Sequence, residues 1–168
     1  MRYPATKIAR GDICAEVGVW KGEFSTEILG RQPRLLHLID PWVQQDYKTM
    51  WYTIPQEEMD EIHDGVQQKF ADNPTVKIHR NFSTDVEFSD EYFDWVYLDG
   101  NHTYVQVSKD LEYYLPLIKS GGYLCGDDYN WTSVDCPKGP KPAVNEFVGR
   151  HQFELDVSDN QYIIRIPE

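Results

Sequence analysis

The sequence is short of basic residues, and this shortage limits the partners that the chain can bind. It has 16 Lys and Arg against 28 Asp and Glu, which gives a formal net charge of −12 at pH 7. A broad basic face is what attracts nucleic acids and anionic membranes. We therefore expect neither nucleic acid nor a membrane surface among the partners.

The sequence also lacks paired cysteines and a long apolar run. Its three cysteines, Cys14, Cys125 and Cys136, lie far apart and form no CxxC pair, so neither a disulfide framework nor a structural zinc site is indicated. No segment approaches the length of a membrane span, and residues 1–12 contain no apolar signal-peptide region. Buried free thiols are typical of a reducing compartment, and we expect a cytoplasmic protein.

The apolar content that is present suffices for one folded domain. Of the 168 residues, 40% are hydrophobic and 14% aromatic, a composition typical of a globular and not of a disordered chain. No repeat, low-complexity tract or composition change divides the sequence. We therefore expect a single domain over residues 1–168.

Strand-like apolar runs alternate with segments of helical periodicity, which predicts an α/β fold. The predicted strands are Ile13–Val19, Leu35–Ile39, Val76–His79, Phe93–Leu98 and Tyr123–Gly126, and the predicted helices are Gly22–Leu29, Glu57–Ala71, Thr103–Ile118 and Ala143–Arg150. We expect Gly121 and Gly122 to end the third helix. The runs Phe153–Val157 and Tyr162–Ile166 predict a β-hairpin. The order predicts a doubly wound, mostly parallel sheet with a C-terminal antiparallel hairpin.

Acidic residues follow two neighbouring strands of the predicted sheet. Asp99 follows the fourth strand, and Asp127 and Asp128 follow the fifth. Ligands bind at the carboxyl ends of the strands in open α/β sheets. Three carboxylates converging there without a nearby Lys or Arg repel one another, so a bound cation is the natural neutraliser. The alternative is that these residues only form turns.

A glycine-containing turn follows the first strand, with the spacing E-x-G-x-x-x-G from Glu16 through Gly18 to Gly22. Glycines let the backbone turn tightly and approach a ligand closely. Asp40 ends the second strand 22 residues after Gly18, where an acid is placed to accept hydrogen bonds from ribose hydroxyls. A tight strand–helix turn and an Asp before Pro41 explain the same residues without a ligand, but in combination with Asp99 the functional interpretation is favoured.

Three stretches in this order resemble the class I S-adenosylmethionine-dependent methyltransferases: AEVGVWKGEFS, LIDPW and DGNHTYVQVSKDLEYYLPLIKSGGYLCGDDY. More narrowly, they are similar to the metal-dependent small-molecule enzymes of the macrocin O-methyltransferase group. The likeness covers roughly Ile13 to Tyr129. It implies a Rossmann-like methyltransferase fold, with a seven-stranded sheet whose last two strands are antiparallel to their neighbours.

The resemblance also implies where the cofactor, S-adenosylmethionine, would bind. It places the glycine turn around the methionine part, Asp40 on the ribose, and Ser83 at the adenosine end, although the NFS sequence at Ser83 is equally compatible with a plain turn. We expect Trp20 to contact the cofactor, whereas Trp42 and Trp131 are assigned to packing. The predicted cofactor-binding residues are therefore Glu16, Gly18, Trp20, Gly22, Asp40, Ser83 and Asp99.

Metal ligands and a base follow from the same resemblance. Asp99, Asp127 and Asp128 fall on the family's magnesium ligands, so Mg²⁺ or another divalent cation is expected to bind there. His102 falls on the general base of some members, and Asn101 excludes a base at the position that others use. The alternative for His102 is an exposed loop residue that caps the following helix. Asp99 is the expected base if metal is absent.

Together these features predict a methyltransferase that methylates a small-molecule hydroxyl with divalent-cation assistance. The alternative is a non-catalytic S-adenosylmethionine- or nucleotide-binding domain that acts as a subunit or scaffold. A nicotinamide-dependent oxidoreductase is disfavoured because the third glycine of G-x-G-x-x-G is absent. Only Trp42–Gln56 and Asn130–Pro142 are candidates for lids, so a homo-oligomer or another partner is an alternative way to enclose the acceptor.

Overall fold

A seven-stranded sheet with the strand order β3-β2-β1-β4-β5-β7-β6 forms the centre of the computed structural model, which describes residues 2–45, 53–134 and 137–168. Its strands are β1 (Ile13–Val17), β2 (Leu35–Ile39), β3 (Val76–His79), β4 (Phe93–Leu98), β5 (Ile118–Gly126), β6 (Leu155–Ser158) and β7 (Gln161–Arg165). The α-helices are α1 (Glu23–Leu29), α2 (Gln56–Phe70), α3 (Tyr104–Tyr114) and α4 (Pro140–His151). A short 3-10 helix, Tyr3–Lys7, precedes β1, and a second, Leu115–Leu117, follows α3.

The strand pairing confirms the predicted fold class. β1 pairs with β2 and β4, β2 pairs with β3, and β4 pairs with β5, all in parallel, whereas β7 runs antiparallel to both β5 and β6. Val17 is in register with Leu98, and Leu98 with Gly126. The residues that follow β1, β4 and β5 therefore emerge side by side. We call this side of the sheet the carboxyl edge and the opposite side the amino edge.

Two apolar layers cover the two faces of the sheet. Residues of α3 and α4, such as Leu111 and Phe147, pack on one face together with Ala15 of β1. Residues of α1 and α2, such as Phe24 and Val66, pack on the other face. Because successive strand residues point to opposite faces, β1 is buried along its whole length.

The one substantial boundary error concerns β5. The sequence predicts a helix to Ile118 that Gly121 and Gly122 end, but α3 stops at Tyr114 and β5 begins at Ile118. Pro116 has no amide hydrogen to donate and cannot continue the α-helix. The two glycines instead lie inside β5, where the register against β4 shifts and Gly121 has φ = +78°.

The C-terminal hairpin is present, with Asp159 and Asn160 both at positive φ in its two-residue turn, as hairpin turns that match the strand twist require. Parts of the two predicted lids, residues 46–52 and 135–136, lie outside the described residues, and so does Cys136. Cys14 and Cys125 are buried free thiols. Within the described ranges, no helix has both the length and the apolar character needed to cross a membrane.

Candidate active site

The turn after β1 is shaped by three residues in the left-handed conformation. Gly18, Trp20 and Gly22 have φ values of +86°, +54° and +70°. A Cβ atom on Gly18 would lie 2.1 Å from the carbonyl oxygen of Asp99. The backbone after β4 therefore requires glycine at this position, and the close approach of the cofactor to Gly18 stays a prediction. A substitution here therefore disturbs the fold as well as any ligand.

Asp40 holds this turn closed. One carboxylate oxygen accepts hydrogen bonds from the backbone amides of Val19 (2.9 Å) and Trp20 (3.0 Å), and the other accepts one from the amide of Trp42 (2.8 Å). Burial raises the pKa of Asp40, while these three amides lower it. The indole of Trp42 is buried and donates to the carbonyl of Trp20 at 2.9 Å. Asp40 is thus both the predicted ribose acceptor and the anchor of the glycine turn.

Two of the predicted cofactor residues, Trp20 and Ser83, lie beside helices. Trp20 lines a cavity of about 630 Å³ against α2. The hydroxyl of Ser83 donates to the carboxylate of Asp110 at 2.6 Å and accepts from Gln106 at 3.1 Å, both on α3. Burial raises the pKa of Asp110 to about 6. These bonds attach the loop before β4 to α3, and the NFS sequence alone did not indicate these partners for the Ser83 hydroxyl.

Glu16 lies on β1 beneath the carboxyl edge, with only 1% of its surface exposed. Its carboxyl group accepts a hydrogen bond from the hydroxyl of Ser25 at 2.5 Å. The pKa of Glu16 is raised to about 8, mainly by burial and also by the nearby Asp99, whereas Ser25 and Arg2 lower it. A positively charged ligand group at this point would favour the ionised form of Glu16.

The predicted acids and His102 do converge at the carboxyl edge. The amide of Asp99 donates to Val17 at 2.7 Å and that of Asp127 to Leu98 at 3.1 Å, which aligns the two turns. The Nε2 atom of His102 lies 3.6 Å from Asp99 and 3.4 Å from Asp128. These contacts bring four side chains from two loops into one crevice.

His102 is not the helix cap that its position before α3 suggested as an alternative. The cap is Thr103, whose hydroxyl accepts a hydrogen bond from the amide of Gln106 at 3.3 Å. Only 12% of the His102 side chain is exposed, and its ring lies edge-on to Trp131 with the centroids 5.5 Å apart. Burial lowers the pKa of His102, while Asp128 and Asp127 raise it.

An arginine that no sequence pattern placed here occupies the same crevice. The Nη1 atom of Arg2 lies 2.6 Å from a carboxylate oxygen of Asp99 and 2.9 Å from one of Asp127. It also donates to the hydroxyl of Tyr97 at 3.2 Å. The expectation that these acids converge without a nearby Lys or Arg is therefore wrong. Arg2 and Asp99 are 97 residues apart, so no local pattern indicates their contact.

Arg2 changes the electrostatics of the carboxylates. The pKa of Asp99 is raised to about 7, because burial and the charge of Asp127 outweigh the charge and hydrogen bond of Arg2, which lower it. Burial also raises the pKa of Asp128, against the charge of His102. A carboxyl oxygen of Asp128 accepts a further hydrogen bond from the side-chain amide of Asn160 at 3.1 Å.

The carboxylates in this arrangement do not form the predicted magnesium site. Carboxylate oxygens of Asp99 and Asp127 face the guanidinium of Arg2, and those of Asp128 face Asn160 and His102. Across residues 2–45, 53–134 and 137–168, no group of three or more His, Cys, Asp or Glu side chains is arranged to hold a metal ion. Magnesium is usually bound by one or two carboxylates, with water or substrate oxygens completing its octahedron, and here the guanidinium of Arg2 already occupies an oxygen of Asp99 and one of Asp127.

Comparisons with known proteins agree with this fold. A protein of Corynebacterium glutamicum superposes with a TM-score of 0.67 at 13% identity, over 98% of this chain and 77% of that chain. The N-methyltransferase NodS from Bradyrhizobium japonicum gives a TM-score of 0.67 at 12% identity, over 95% and 88% of the two chains. Its complex with S-adenosylhomocysteine gives 0.65 at 13% identity, over 98% and 82%. No curated protein matches the sequence.

The fold, the glycine turn and the acidic carboxyl edge define a class I S-adenosylmethionine-dependent methyltransferase. A family profile described as a methyltransferase domain matches residues 15–129. The chain therefore belongs to this methyltransferase family, and the matched region runs from β1 through the loop after β5. The narrower resemblance to the macrocin O-methyltransferase group is not confirmed by these comparisons.

Proposed function

We propose that the chain transfers a methyl group from S-adenosylmethionine to a hydroxyl group of a small molecule, with His102 as the general base. The observation that carries this proposal is the position of His102, whose imidazole lies between Asp99 and Asp128 at the carboxyl edge. Ligands bind at this edge in open α/β sheets. The non-catalytic binding domain is not favoured, because this edge retains a basic nitrogen beside carboxylates.

The cofactor site is supported by the residues around the turn after β1. When bound, the cofactor supplies an electrophilic methyl group on a sulfonium. Glu16 and Asp99 lie close enough to affect each other's charge, and both would attract the positively charged amino end of the methionine part. Asp40 lies at the end of β2, on the side of the turn where we place the ribose. The structure of NodS with S-adenosylhomocysteine has the same fold and supports this choice of cofactor.

His102 is suited to accept the acceptor's proton. Burial lowers the pKa of its imidazole, so the neutral form, which has a free nitrogen lone pair, predominates at neutral pH. A proton gained at Nε2 is then placed near Asp128 and Asp99, whose charges stabilise the imidazolium. The hydroxyl oxygen, having lost its proton to Nε2, would then be the nucleophile towards the methyl carbon that the cofactor would supply, and the carbon–sulfur bond would break to release S-adenosylhomocysteine. General-base assistance of this kind typically contributes about 10²–10⁴-fold.

We propose a small acceptor because the net charge of −12 disfavours a polyanion such as nucleic acid. We do not include a divalent cation in the mechanism, because Arg2 occupies the carboxylates that were expected to bind it. The proposal also keeps the predicted cytoplasmic location, and a homo-oligomer remains the proposed means of enclosing the acceptor.

The test combines binding and turnover. Calorimetry with S-adenosylhomocysteine should show one site, which Asp40→Ala weakens. A panel of sugars, catechols and amines is then screened for methylation by following release of S-adenosylhomocysteine. Hydroxyl acceptors should react, with a rate that rises with pH as His102 loses its proton. Binding without methylation of any acceptor would favour the non-catalytic domain. Methylation of amines alone would show that the acceptor atom is a nitrogen and not a hydroxyl oxygen.

A further inference from the structure

Several different interactions hold Arg2 at the carboxyl edge. The guanidinium carbon lies 4.6 Å from the centroid of the Phe24 ring, on α1. The backbone amide of Arg2 donates to the carboxylate of Glu27 at 3.0 Å. A cation stacked on an aromatic face and joined to carboxylates is held by more than one type of interaction. Arg2 therefore has a defined position in the crevice.

Further hydrogen bonds fix Tyr97, which contacts Arg2, and the segment that carries Arg2. The hydroxyl of Tyr97 contacts Arg2 at 3.2 Å and accepts a hydrogen bond from Gln161 of β7 at 2.9 Å. The indole of Trp95 donates to the carbonyl of Pro4, in the 3-10 helix just after Arg2, at 3.2 Å. The segment before β1 is thus fastened to β4 and β7, and this attachment directs Arg2 towards the loops after β4 and β5.

A single guanidinium here bridges the same two loops that a bound metal ion would bridge. Its Nη1 atom contacts Asp99 from the loop after β4 and Asp127 from the loop after β5. Two carboxylates so close together repel each other unless a positive charge lies between them. A divalent cation entering this position would have to displace the guanidinium and leave it without its partners, which is unfavourable.

We propose that Arg2 takes the place of the divalent cation, so that its guanidinium joins Asp99 to Asp127 and the methyl transfer of this chain needs no metal ion. The inference rests on the proposed function for its statement about catalysis, but the cation-binding part stands independently. Arg2 is a positioning residue, since it acts through the two carboxylates. The chain would then differ from the metal-dependent enzymes that its motifs resemble.

The test measures divalent-cation binding directly, using Mn²⁺ and Mg²⁺ in calorimetric titrations without cofactor or acceptor. Wild-type protein should bind neither cation at millimolar concentration. Arg2→Gln removes the guanidinium charge and should increase Mn²⁺ affinity at least tenfold, because the two carboxylates then lack a counter-charge. Arg2→Lys retains a positive charge and should bind no better than wild type.

Lys119→Gln is the matched control. Lys119 pairs with Asp94 at 2.7 Å and its side chain is 37% exposed, against 36% for Arg2. Lys119 lies on β5 and Asp94 on β4, so this pair joins, at the amino edge, the two strands whose following loops Arg2 joins at the carboxyl edge. Lys119 contacts one carboxylate there. Removing its charge should not create a cation site. A gain of affinity in Arg2→Gln alone supports the proposal.

Two results would overturn it. One is wild-type binding of Mg²⁺ at millimolar or lower concentration that Asp127→Asn abolishes, since the carboxylates would then hold a metal despite Arg2. The other is a folded Arg2→Gln protein that binds Mn²⁺ no better than the Lys119→Gln control. If Arg2→Gln fails to fold, the wild-type and Asp127→Asn titrations still decide the question. If wild-type protein does not bind S-adenosylhomocysteine, the proposed function is contradicted, but the result on cation binding still stands.

Discussion

At the amino edge of the sheet, Lys119 pairs with Asp94 at 2.7 Å, and Asp94 also accepts a hydrogen bond from the amide of Ile13 at 2.8 Å. At the carboxyl edge of the same strands, Arg2 contacts both Asp99 and Asp127. At the first site one cation contacts one acid, with Asp12 nearby, whereas at the second site one cation contacts two acids and a third, Asp128, lies near them. The excess of acid at the carboxyl edge leaves negative charge for a ligand to use.

Glycines at the two edges show the same contrast. Gly11, before β1, has φ = +92° and nothing within 4 Å of where a Cβ would lie. Gly18, after β1, has φ = +86°, and a Cβ there would lie 2.1 Å from the carbonyl oxygen of Asp99. The backbone is thus open around Gly11 and crowded around Gly18. The following predictions test the difference between the two edges at these glycines and at the charged groups.

The largest expected effect is on turnover. His102→Ala should reduce the methylation rate of a true acceptor by about 10²–10⁴-fold, because the general base is lost, with little change in S-adenosylhomocysteine affinity. His151→Ala is the control, since His151 also lies 3.6 Å from a carboxylate, that of Glu112, away from the carboxyl edge. Near-normal turnover by the His102 variant would show that His102 is a structural loop residue.

The next effect is on stability. Gly18→Ala should lower the free energy of unfolding by about 2–5 kcal/mol, because it combines a left-handed backbone with a steric clash. Gly11→Ala should lower it by only about 1–2 kcal/mol, because it incurs the backbone strain alone. Urea unfolding of the two variants measures the difference. Equal losses would mean that the backbone of Asp99 moves aside freely.

Glu16 should make stability depend on pH. Its pKa in the folded protein, about 8, lies above the ordinary 4.5, so the unfolded chain loses this proton first as the pH rises. The stabilisation of the fold by protonated Glu16 is therefore fully present below pH 4.5. It is lost progressively up to about pH 8, at about 1.4 kcal/mol per pH unit. Glu16→Gln should flatten the pH dependence of urea unfolding. Parallel wild-type and variant curves would show that Glu16 has an ordinary pKa.

The smallest effect is expected at the amino edge. Lys119→Gln should change the free energy of unfolding by less than about 1 kcal/mol, because the pair is over a third exposed on the lysine side and water screens it. Affinity for S-adenosylhomocysteine should not change. A loss of several kcal/mol, measured by urea unfolding, would remove the contrast between the two edges.

The features that could be predicted from sequence are those that depend on neighbouring residues. The bounds of β2, β3 and β4 were predicted to the residue, because short apolar runs bounded by turn residues define them. The convergence of Asp99, Asp127 and Asp128 followed from parallel pairing alone. The start of β5 was missed because the apolar stripe continues past Pro116, whereas the helix does not.

The remaining features depend on contacts between distant parts of the chain. Nothing near Arg2 in the sequence indicates that its guanidinium reaches Asp99. Nor does the sequence around Ser83 indicate that its hydroxyl bonds to Asp110, 27 residues away. Periodicity reports which face of an element is buried, but it does not report which polar side chains meet.

The turn of the C-terminal hairpin forms part of the crevice at the carboxyl edge. The carbonyl of Asn160 accepts the amide of Tyr129 at 2.8 Å, and its side chain contacts Asp128 and the amide of Asn130. Arg2 arrives from the opposite end of the sequence. Contacts between segments so far apart along the chain favour slow folding. The crevice is therefore complete only when the hairpin and the segment before β1 have both docked on the sheet.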